Sequence, residues 1–191
     1  KFFMLGHDAV AQALVDHGVD TVFAVLGDGN LFIGENLARE HGVNLVSATH
    51  EANAVLMAQG WAKATGRLGV ATVTHGPGLT NTITALVEGA KNETPILVVA
   101  GDTPIEQEQH LQNLDQHALV TATGAGFQPV RNAETIADDV STAVRRAHFE
   151  HRPIVVNVPL NIEWDDVEYQ PHPPFTPPPV RLAPDPDQLD A

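Results

Sequence analysis

Two hydrophobic patterns alternate along most of this 191-residue chain. Short continuous apolar runs predict buried strands, and apolar residues three and four positions apart predict helices. The predicted strands are residues 21–26, 43–48, 69–74, 95–100 and 153–158. The predicted helices are residues 8–17, 31–40, 51–65, 79–91 and 133–149. Apolar strands between helices indicate a doubly wound α/β domain, with a mainly parallel six-stranded sheet and helices on both faces.

The end of the chain follows a different pattern. Nine of the 14 prolines lie at or after Pro159, most densely in residues 170–186. Proline removes a backbone donor and does not fit the interior of a helix or sheet. We therefore expect a domain over residues 1–160 and an extended proline-rich linker over residues 161–191, leading to a missing central domain. A disordered tail is the alternative, and residues 185–191 resemble the first turn of a further helix.

Composition excludes several classes of function. The net charge of −14 makes nucleic acid an unfavourable partner. No apolar run approaches the roughly 18 residues that a membrane span requires. The chain has no cysteine, which excludes disulfides and a cysteine nucleophile and is typical of a reducing compartment. We expect a cytoplasmic protein with neither a membrane nor a nucleic-acid partner.

Glu51 is the first candidate for chemistry. It follows the predicted strand 43–48 and begins the next helix. Ligands of open α/β sheets bind beyond the carboxyl ends of the strands, which is where this glutamate is placed. The alternative is an acidic residue in a first helical turn, favoured by the helix dipole alone. The residues by themselves leave both interpretations open.

The turn after the predicted strand 69–74 is the second candidate. It reads His75-Gly76-Pro77-Gly78, and Asn81 follows in the next helix. Glycine permits the backbone to approach a ligand closely, and proline is tolerated at a helix start. An ordinary strand-to-helix turn has the same composition, so this motif alone is weak.

Taken together, these segments resemble one family. The pattern Thr-x-Gly-Pro-Gly-x-x-Asn at residues 74–81, the segment 60–66 and the sequence Ala-Gly-Asp at residues 100–102 are similar to the N-terminal pyrimidine-binding domain of acetolactate synthase-like thiamine diphosphate enzymes. The resemblance covers residues 8–159. It implies that Glu51 contacts the cofactor's pyrimidine N1′ and relays a proton there.

The resemblance also implies roles for the loops. Gly76, Pro77, Gly78 and Asn81 belong to the family's loop that approaches the pyrimidine ring, and Gly27 is placed with them among the cofactor-binding residues. The loop 27–30 is interpreted as facing the substrate. Its Gly-Asp-Gly imitates a diphosphate and magnesium motif, but the second, Asn-Asn part of that motif is missing from the chain. No metal site is therefore predicted here.

Two further residues are candidates for catalysis. Gln112 occupies the place of the glutamine in the family's Phe-Gln-Glu segment, which implies that it orients the reacting carbonyl; a solvated loop glutamine is the alternative. His75 stands where most relatives have a small residue. It is interpreted as a proton carrier facing the substrate, with a partly exposed turn residue as the alternative.

The chain departs from acetolactate synthases on the substrate side. Leu26-Gly27-Asp28 stands in place of Pro-Gly-Gly, and residues 122–127 lack the basic Ile-Thr-Lys element. An added carboxylate at Asp28 disfavours a second anionic substrate. We expect that condensation of two pyruvates is not the preferred reaction.

The resemblance predicts a larger enzyme of which this chain is one part and is inactive alone. Its cofactor lies between subunits of a homodimer or homotetramer, with Mg²⁺ in a missing diphosphate-binding domain; FAD in the missing central domain is left open. The expected reaction makes or breaks carbon–carbon bonds of a 2-keto acid or aldehyde, as in acetolactate synthase-like carboligation. The alternatives are a 2-keto acid decarboxylase, an aldehyde lyase or a non-catalytic binding module. A nicotinamide-binding Rossmann domain is disfavoured, because no GxGxxG follows the first strand.

Overall fold

A computed structural model describes residues 2–104, 106–107 and 109–177 of the chain. Its strands are β1 (Phe2–Leu5), β2 (Thr21–Ala24), β3 (Asn44–Ser47), β4 (Gly69–Val73), β5 (Ile96–Asp102), β6 (Gly126–Pro129), β7 (Ile154–Pro159) and β8 (Asp166–Tyr169). Its helices are α1 (Gly6–Asp16), α2 (Leu31–Arg39), α3 (Glu51–Thr65), α4 (Pro77–Thr80), α5 (Ile83–Lys91), α6 (Gln116–Ala122), α7 (Ile136–Glu150) and α8 (Leu160–Glu163). A short 3-10 turn, Ala133–Thr135, precedes α7.

Six of these strands form one parallel sheet in the order β3-β2-β4-β5-β7-β6. Along β5, Leu97 and Val99 pack into a core that includes α1, α2 and α7. Val98 and Ala100 face the opposite core, formed with α3, α5 and α6. This alternation follows from the pleat of a strand and requires both faces to be apolar. The predicted doubly wound fold with a six-stranded sheet is confirmed.

A divided helix and a short edge strand are among the differences from the predicted pattern. The predicted helix 79–91 is divided into α4 and α5 at Thr82, whose hydroxyl donates to the carbonyl of Leu79 at 2.7 Å. The short strand β6 was not located in the sequence, because its four residues contain a single large apolar side chain, Phe127. It pairs with β7 at the edge of the sheet.

The packed part of the chain extends past residue 160, the predicted end of the domain. The strand β8 pairs antiparallel with β1, and Tyr169 is buried with its hydroxyl donating to Asp16 at 2.7 Å. Val167 and Tyr169 are buried while Asp166 and Glu168 are exposed, a strand alternation that the nearby prolines obscured. The linker toward a central domain stays a prediction, and residues 185–191 lie outside the described part of the chain.

Residues 170–177 form neither helix nor strand. Phe175 nevertheless contacts the domain, because its backbone N–H donates to His17 Nδ1 at 3.2 Å and its ring packs against Phe149. In the described ranges, no helix is both long enough and apolar enough to cross a membrane.

Candidate functional site

The candidate residues gather at the carboxyl edge of the parallel sheet. Residues 27–30 follow β2, Glu51 follows β3, residues 74–78 follow β4, and Thr103 follows β5. In a parallel sheet these ends share one edge, so segments far apart in sequence become neighbours.

Glu51 and Asn81 meet at this edge. The side-chain amide of Asn81 donates to Glu51 Oε2 at 2.9 Å. Glu51 does not cap its own helix, since His50 is the N-cap residue and its ring accepts from the N–H of Ala52. Its carboxyl is therefore oriented by Asn81 and is half-buried.

The turn between β4 and α4 requires its glycines. Gly76 has a φ of +58°, and a Cβ there would lie 2.3 Å from the carbonyl oxygen of Gln112. A Cβ on Gly78 would lie 2.6 Å from Thr74 Cγ2 and 3.7 Å from Glu51 Oε1. Pro77 begins α4, where its missing N–H costs nothing. Glu51, Gly76, Gly78 and Asn81 together are called the Glu51 cradle below, because bare backbone here lies beside an oriented carboxyl.

A second group, the His75 network, consists of Asp28, Thr74, His75 and Gln112. The Thr74 hydroxyl donates to Asp28 Oδ1 at 2.8 Å and lies 3.3 Å from His75 Nδ1. His75 Nδ1 and Asp28 Oδ1 are 3.9 Å apart. The Gln112 side chain lies near the Asp28 carboxylate and helps to lower its pKa. Gln112 and His75, which the sequence suggested separately, thus converge on Asp28.

The electrostatics of the His75 network favour a neutral imidazole beside a carboxylate. The His75 ring is fully buried, and this burial lowers its pKa despite the opposing charge of Asp28. Burial raises the pKa of Asp28, but the hydrogen bond from Thr74, the neighbouring His75 and the nearby Gln112 side chain outweigh it, so the net pKa is lowered. His75 Nε2 is buried with no hydrogen-bond partner among the described residues. In the neutral ring, the proton or lone pair of this nitrogen is therefore unpaired among the described residues.

Gly27 belongs to the loop of the His75 network. A Cβ at Gly27 would lie 2.8 Å from Thr74 Cβ, and its N–H donates to Asn30 Oδ1 at 2.8 Å. Asn30 is fully buried and also donates to Thr72 Oγ1 at 3.1 Å. These bonds fix the loop on β4.

Sequence reasoning missed Gln116, which holds the site together. Its Oε1 accepts from the N–H of Gly76 at 2.8 Å. Its Nε2 donates to the carbonyl of Gly101 at 2.9 Å and to Asn157 Oδ1 at 2.6 Å. The only signal in the sequence is a polar residue directly after Asp115, which caps α6.

Glu163 was also missed. It is buried in α8, and its Oε1 has no hydrogen-bond partner in the described part of the chain. Burial, helped by the charge of Asp28, raises the pKa of Glu163 to about 8. In the sequence this residue resembles a surface acid beside Trp164.

Acidic and histidine side chains do not assemble a metal cage here. In the described ranges, no group of three or more histidine, cysteine, aspartate or glutamate residues could hold a metal ion. The Asp28 carboxylate is engaged by Thr74 and Gln112 instead.

Comparison with known proteins finds a matching family and several similar proteins. The family described as "Thiamine pyrophosphate enzyme, N-terminal TPP binding domain" matches residues 4–119. A mouse (Mus musculus) 2-hydroxyacyl-CoA lyase 2 is 34% identical over 160 residues, which cover 82% of this chain and 25% of the relative. The acetolactate synthase large subunit IlvG of Mycobacterium tuberculosis is 34% identical over 139 residues, 70% of this chain and 25% of that protein.

A third relative is a sulfoacetaldehyde acetyltransferase of Rhodobacter capsulatus. It is 30% identical over 162 residues, which cover 83% of this chain and 27% of the relative. The chain thus spans about a quarter of the length of these relatives.

Proposed function

The chain belongs to the thiamine pyrophosphate enzymes, as their N-terminal TPP-binding domain, and we propose that it supplies the pyrimidine-binding half of an active centre acting on carbon–carbon bonds. The family resemblance drawn from the sequence is confirmed by the match over residues 4–119. The observation that carries the proposal is the Glu51 cradle, in which Asn81 orients the carboxyl at 2.9 Å.

The residues of the cradle fit an aminopyrimidine. A half-buried carboxyl is a suitable partner for a ring nitrogen. Gly76 and Gly78 let the turn pack closely against Gln112 and Thr74, which brings its backbone beside Glu51. Glu51, Gly76, Pro77, Gly78 and Asn81 would hold the pyrimidine. When bound, thiamine diphosphate supplies the carbon nucleophile and the electron sink. Glu51, oriented by Asn81, would hold and return a proton at the ring nitrogen.

The His75 network supports a separate role toward the substrate. His75 is neutral and buried, with Nδ1 beside Thr74 and a free Nε2, so we propose it as the proton carrier. Gln112 would orient the substrate carbonyl. Gly27, where a Cβ would lie 2.8 Å from Thr74 Cβ, lets its loop pack on Thr74 and would be among the residues that hold the cofactor. The Asp28 carboxylate, held ionised, would disfavour an anionic second substrate.

The substrate of the whole enzyme is accordingly proposed as a small 2-keto acid or aldehyde. Acetolactate synthase-like carboligation is the first candidate, because an acetolactate synthase and an acetyltransferase are among the relatives. Carbon–carbon cleavage by a lyase is the second candidate. It is favoured by the 2-hydroxyacyl-CoA lyase 2 relatives and by the substrate-side changes at Leu26-Gly27-Asp28.

The remaining half of the centre is proposed to come from elsewhere. The chain offers no metal cage in its described residues, so Mg²⁺ and the diphosphate are assigned to another domain, and FAD to a central domain if it is used. A cytoplasmic homodimer or homotetramer with a site shared between subunits is the assembly consistent with a half-site. The open edge at Glu51 and Asn81 supports this arrangement.

The pyrimidine half of the cofactor tests the proposal directly on this chain. We expect 4-amino-5-hydroxymethyl-2-methylpyrimidine to bind weakly but saturably, and to shift the amide NMR signals of Glu51, Gly78 and Asn81. Glu51→Gln should abolish these shifts, and Glu88→Gln, at a half-buried position near the end of α5, should leave them intact. Saturable shifts confined to other surfaces, or equal shifts in Glu51→Gln, would contradict the proposal.

A further inference from the structure

A cleft of about 440 Å³ lies beside the site, at the carboxyl ends of β5, β6 and β7. We call it the Asp102 cleft. Apolar side chains of Pro129, Val130 and Ile162 form part of its lining. Polar and charged groups line the rest, so the cleft offers an amphipathic ligand two kinds of surface.

Thr103 is the first sign that this cleft is built to bind something. Its side chain lines the cleft and is only 6% exposed. Its hydroxyl is buried with no hydrogen-bond partner among the described residues. A buried hydroxyl without a partner is destabilising, and a ligand donor at this position would remove that cost.

The charges around the cleft favour a cation. Asp102 and Asp165 line it, and neither forms an ion pair within the described ranges. Arg131 also lines the cleft, but its guanidinium is bound to Asp139, with NH2 2.9 Å and Nε 3.0 Å from Asp139 Oδ1. The lining therefore carries unbalanced negative charge, which repels carboxylates and attracts ammonium groups.

A buried chain of hydrogen bonds joins the Asp102 cleft to the Glu51 cradle. Asp102 Oδ2 accepts from Asn157 Nδ2 at 2.7 Å, and Asn157 Oδ1 accepts from Gln116 Nε2 at 2.6 Å. Gln116 Oε1 then accepts from the N–H of Gly76 at 2.8 Å. A displacement of Asp102 has a direct path of hydrogen bonds to the glycine turn.

We propose that the Asp102 cleft binds a small organic cation, an ammonium group with a short apolar part, and that Asn157 and Gln116 transmit this binding to Gly76. The ammonium group donates to Thr103 Oγ1 and to the carboxylates of Asp102 and Asp165. The apolar part packs on the wall that includes Val130 and Ile162. The site is separate from the Glu51 cradle and requires no cofactor.

The test is an NMR and calorimetric titration of the 191-residue chain with n-butylammonium. The matched probe is n-butanoate, which has the same length and the opposite charge. We expect saturable binding of the cation alone. The amide signal of Gly76 and the side-chain amide of Gln116 should shift along the same saturation curve.

Substitutions locate the site. Thr103→Val and Asp165→Asn should each weaken binding by about tenfold, as expected for one hydrogen bond to a charged group. Thr121→Val and Asp166→Asn, both at exposed positions outside the cleft, should bind as the unmodified chain does. If Thr103→Val does not fold, Asp165→Asn decides, since Asp165 is exposed.

Four results would overturn the proposal. If n-butanoate bound as tightly as n-butylammonium, the negative charge of the cleft would not select a cation. If Thr103→Val and Asp165→Asn bound n-butylammonium as tightly as the unmodified chain, the proposed location would be wrong. If binding of n-butylammonium did not saturate, the proposed site would not exist. If n-butylammonium saturated the cleft and the Gly76 amide signal did not shift, the proposed transmission from the cleft to Gly76 would be wrong.

Discussion

Glu51 and Asn81 are 30 residues apart in the chain, and their side chains meet at the sheet edge. Both were predicted as site residues from the resemblance to a family, since the residues alone left a first-turn acid and an ordinary strand-to-helix turn as alternatives. Gln116 and Glu163 could not be predicted, since a buried glutamine or glutamate looks the same in a sequence as a solvated one. What distinguishes them is the packing of α6 and α8, which no local pattern contains.

Gly76 gives the first prediction at this scale. Gly76→Ala places a Cβ 2.3 Å from a backbone carbonyl at a positive φ, so it should lower the free energy of unfolding by about 1–3 kcal/mol. Gly60→Ala is the control, because a Cβ there has open space inside α3 and should stabilise by about 0.5–1 kcal/mol. Urea denaturation measures both. Equal stability of the two variants would show that the turn tolerates a side chain.

Glu163 gives a prediction about pH. Its carboxyl has a pKa raised to about 8 in the folded chain, against an ordinary value of 4.5. The folded state therefore binds the proton more tightly. The stabilisation that the Glu163 carboxyl contributes is fully present below its ordinary pKa of 4.5. It is lost as the pH rises toward the pKa of about 8 in the folded chain.

Glu163→Gln should remove this loss. Its free energy of unfolding should match that of the unmodified chain at about pH 5 and exceed it by a few kcal/mol at about pH 9. Glu106→Gln, at an exposed position, is the control and should show no such divergence. If the free energies of unfolding of Glu163→Gln and the unmodified chain changed in parallel with pH, the Glu163 carboxyl would be hydrated in the folded chain.

At the scale of elements, the sequence is most informative where strands are buried on both faces. β5 and β7 are almost entirely buried, so they appear in the sequence as continuous apolar runs. β6 and β8 lie at edges, with few apolar residues, and were not predicted. Their existence depends on β7 and β1, the strands that pair with them.

Gln116 of α6 bonds to the Gly76 turn, to β5 and to β7, and it gives the prediction at this scale. Gln116→Leu leaves the Gly76 N–H without its acceptor and Asn157 Oδ1 without its donor, so we expect a loss of about 2–4 kcal/mol. Gln109→Leu, in the exposed loop after β5, should change stability little. Thermal unfolding followed by circular dichroism compares them. A neutral Gln116→Leu would show that water replaces the lost bonds.

At the scale of the molecule, the proposal is that the chain carries half of a site. The chain spans about a quarter of its relatives, and its described residues contain an oriented carboxyl but no metal cage. The sequence motifs that predict a pyrimidine-binding half are local, and that assignment stays a prediction. How the proposed site is completed could not be predicted, since no motif of this chain describes another surface.

A binding measurement follows at this scale. Calorimetry of the chain with thiamine diphosphate and Mg²⁺ should show no micromolar affinity, because the charged diphosphate finds no oxygen-ligand cage here. The control is the complete enzyme under the same conditions, which should bind tightly. Micromolar binding to the chain alone would place a diphosphate site within it.

The central claim is that Glu51 governs proton transfer at the cofactor's pyrimidine, and hydrogen exchange at C2 of the bound thiazolium reports on it most directly. In the complete enzyme, Glu51→Gln should slow this exchange by about 10²–10⁴-fold, the range typical of a general acid or base, while the fold is retained. Glu88→Gln is the matched control and should exchange at the unmodified rate. An unchanged exchange rate in a folded, cofactor-loaded Glu51→Gln enzyme would contradict the assignment of Glu51.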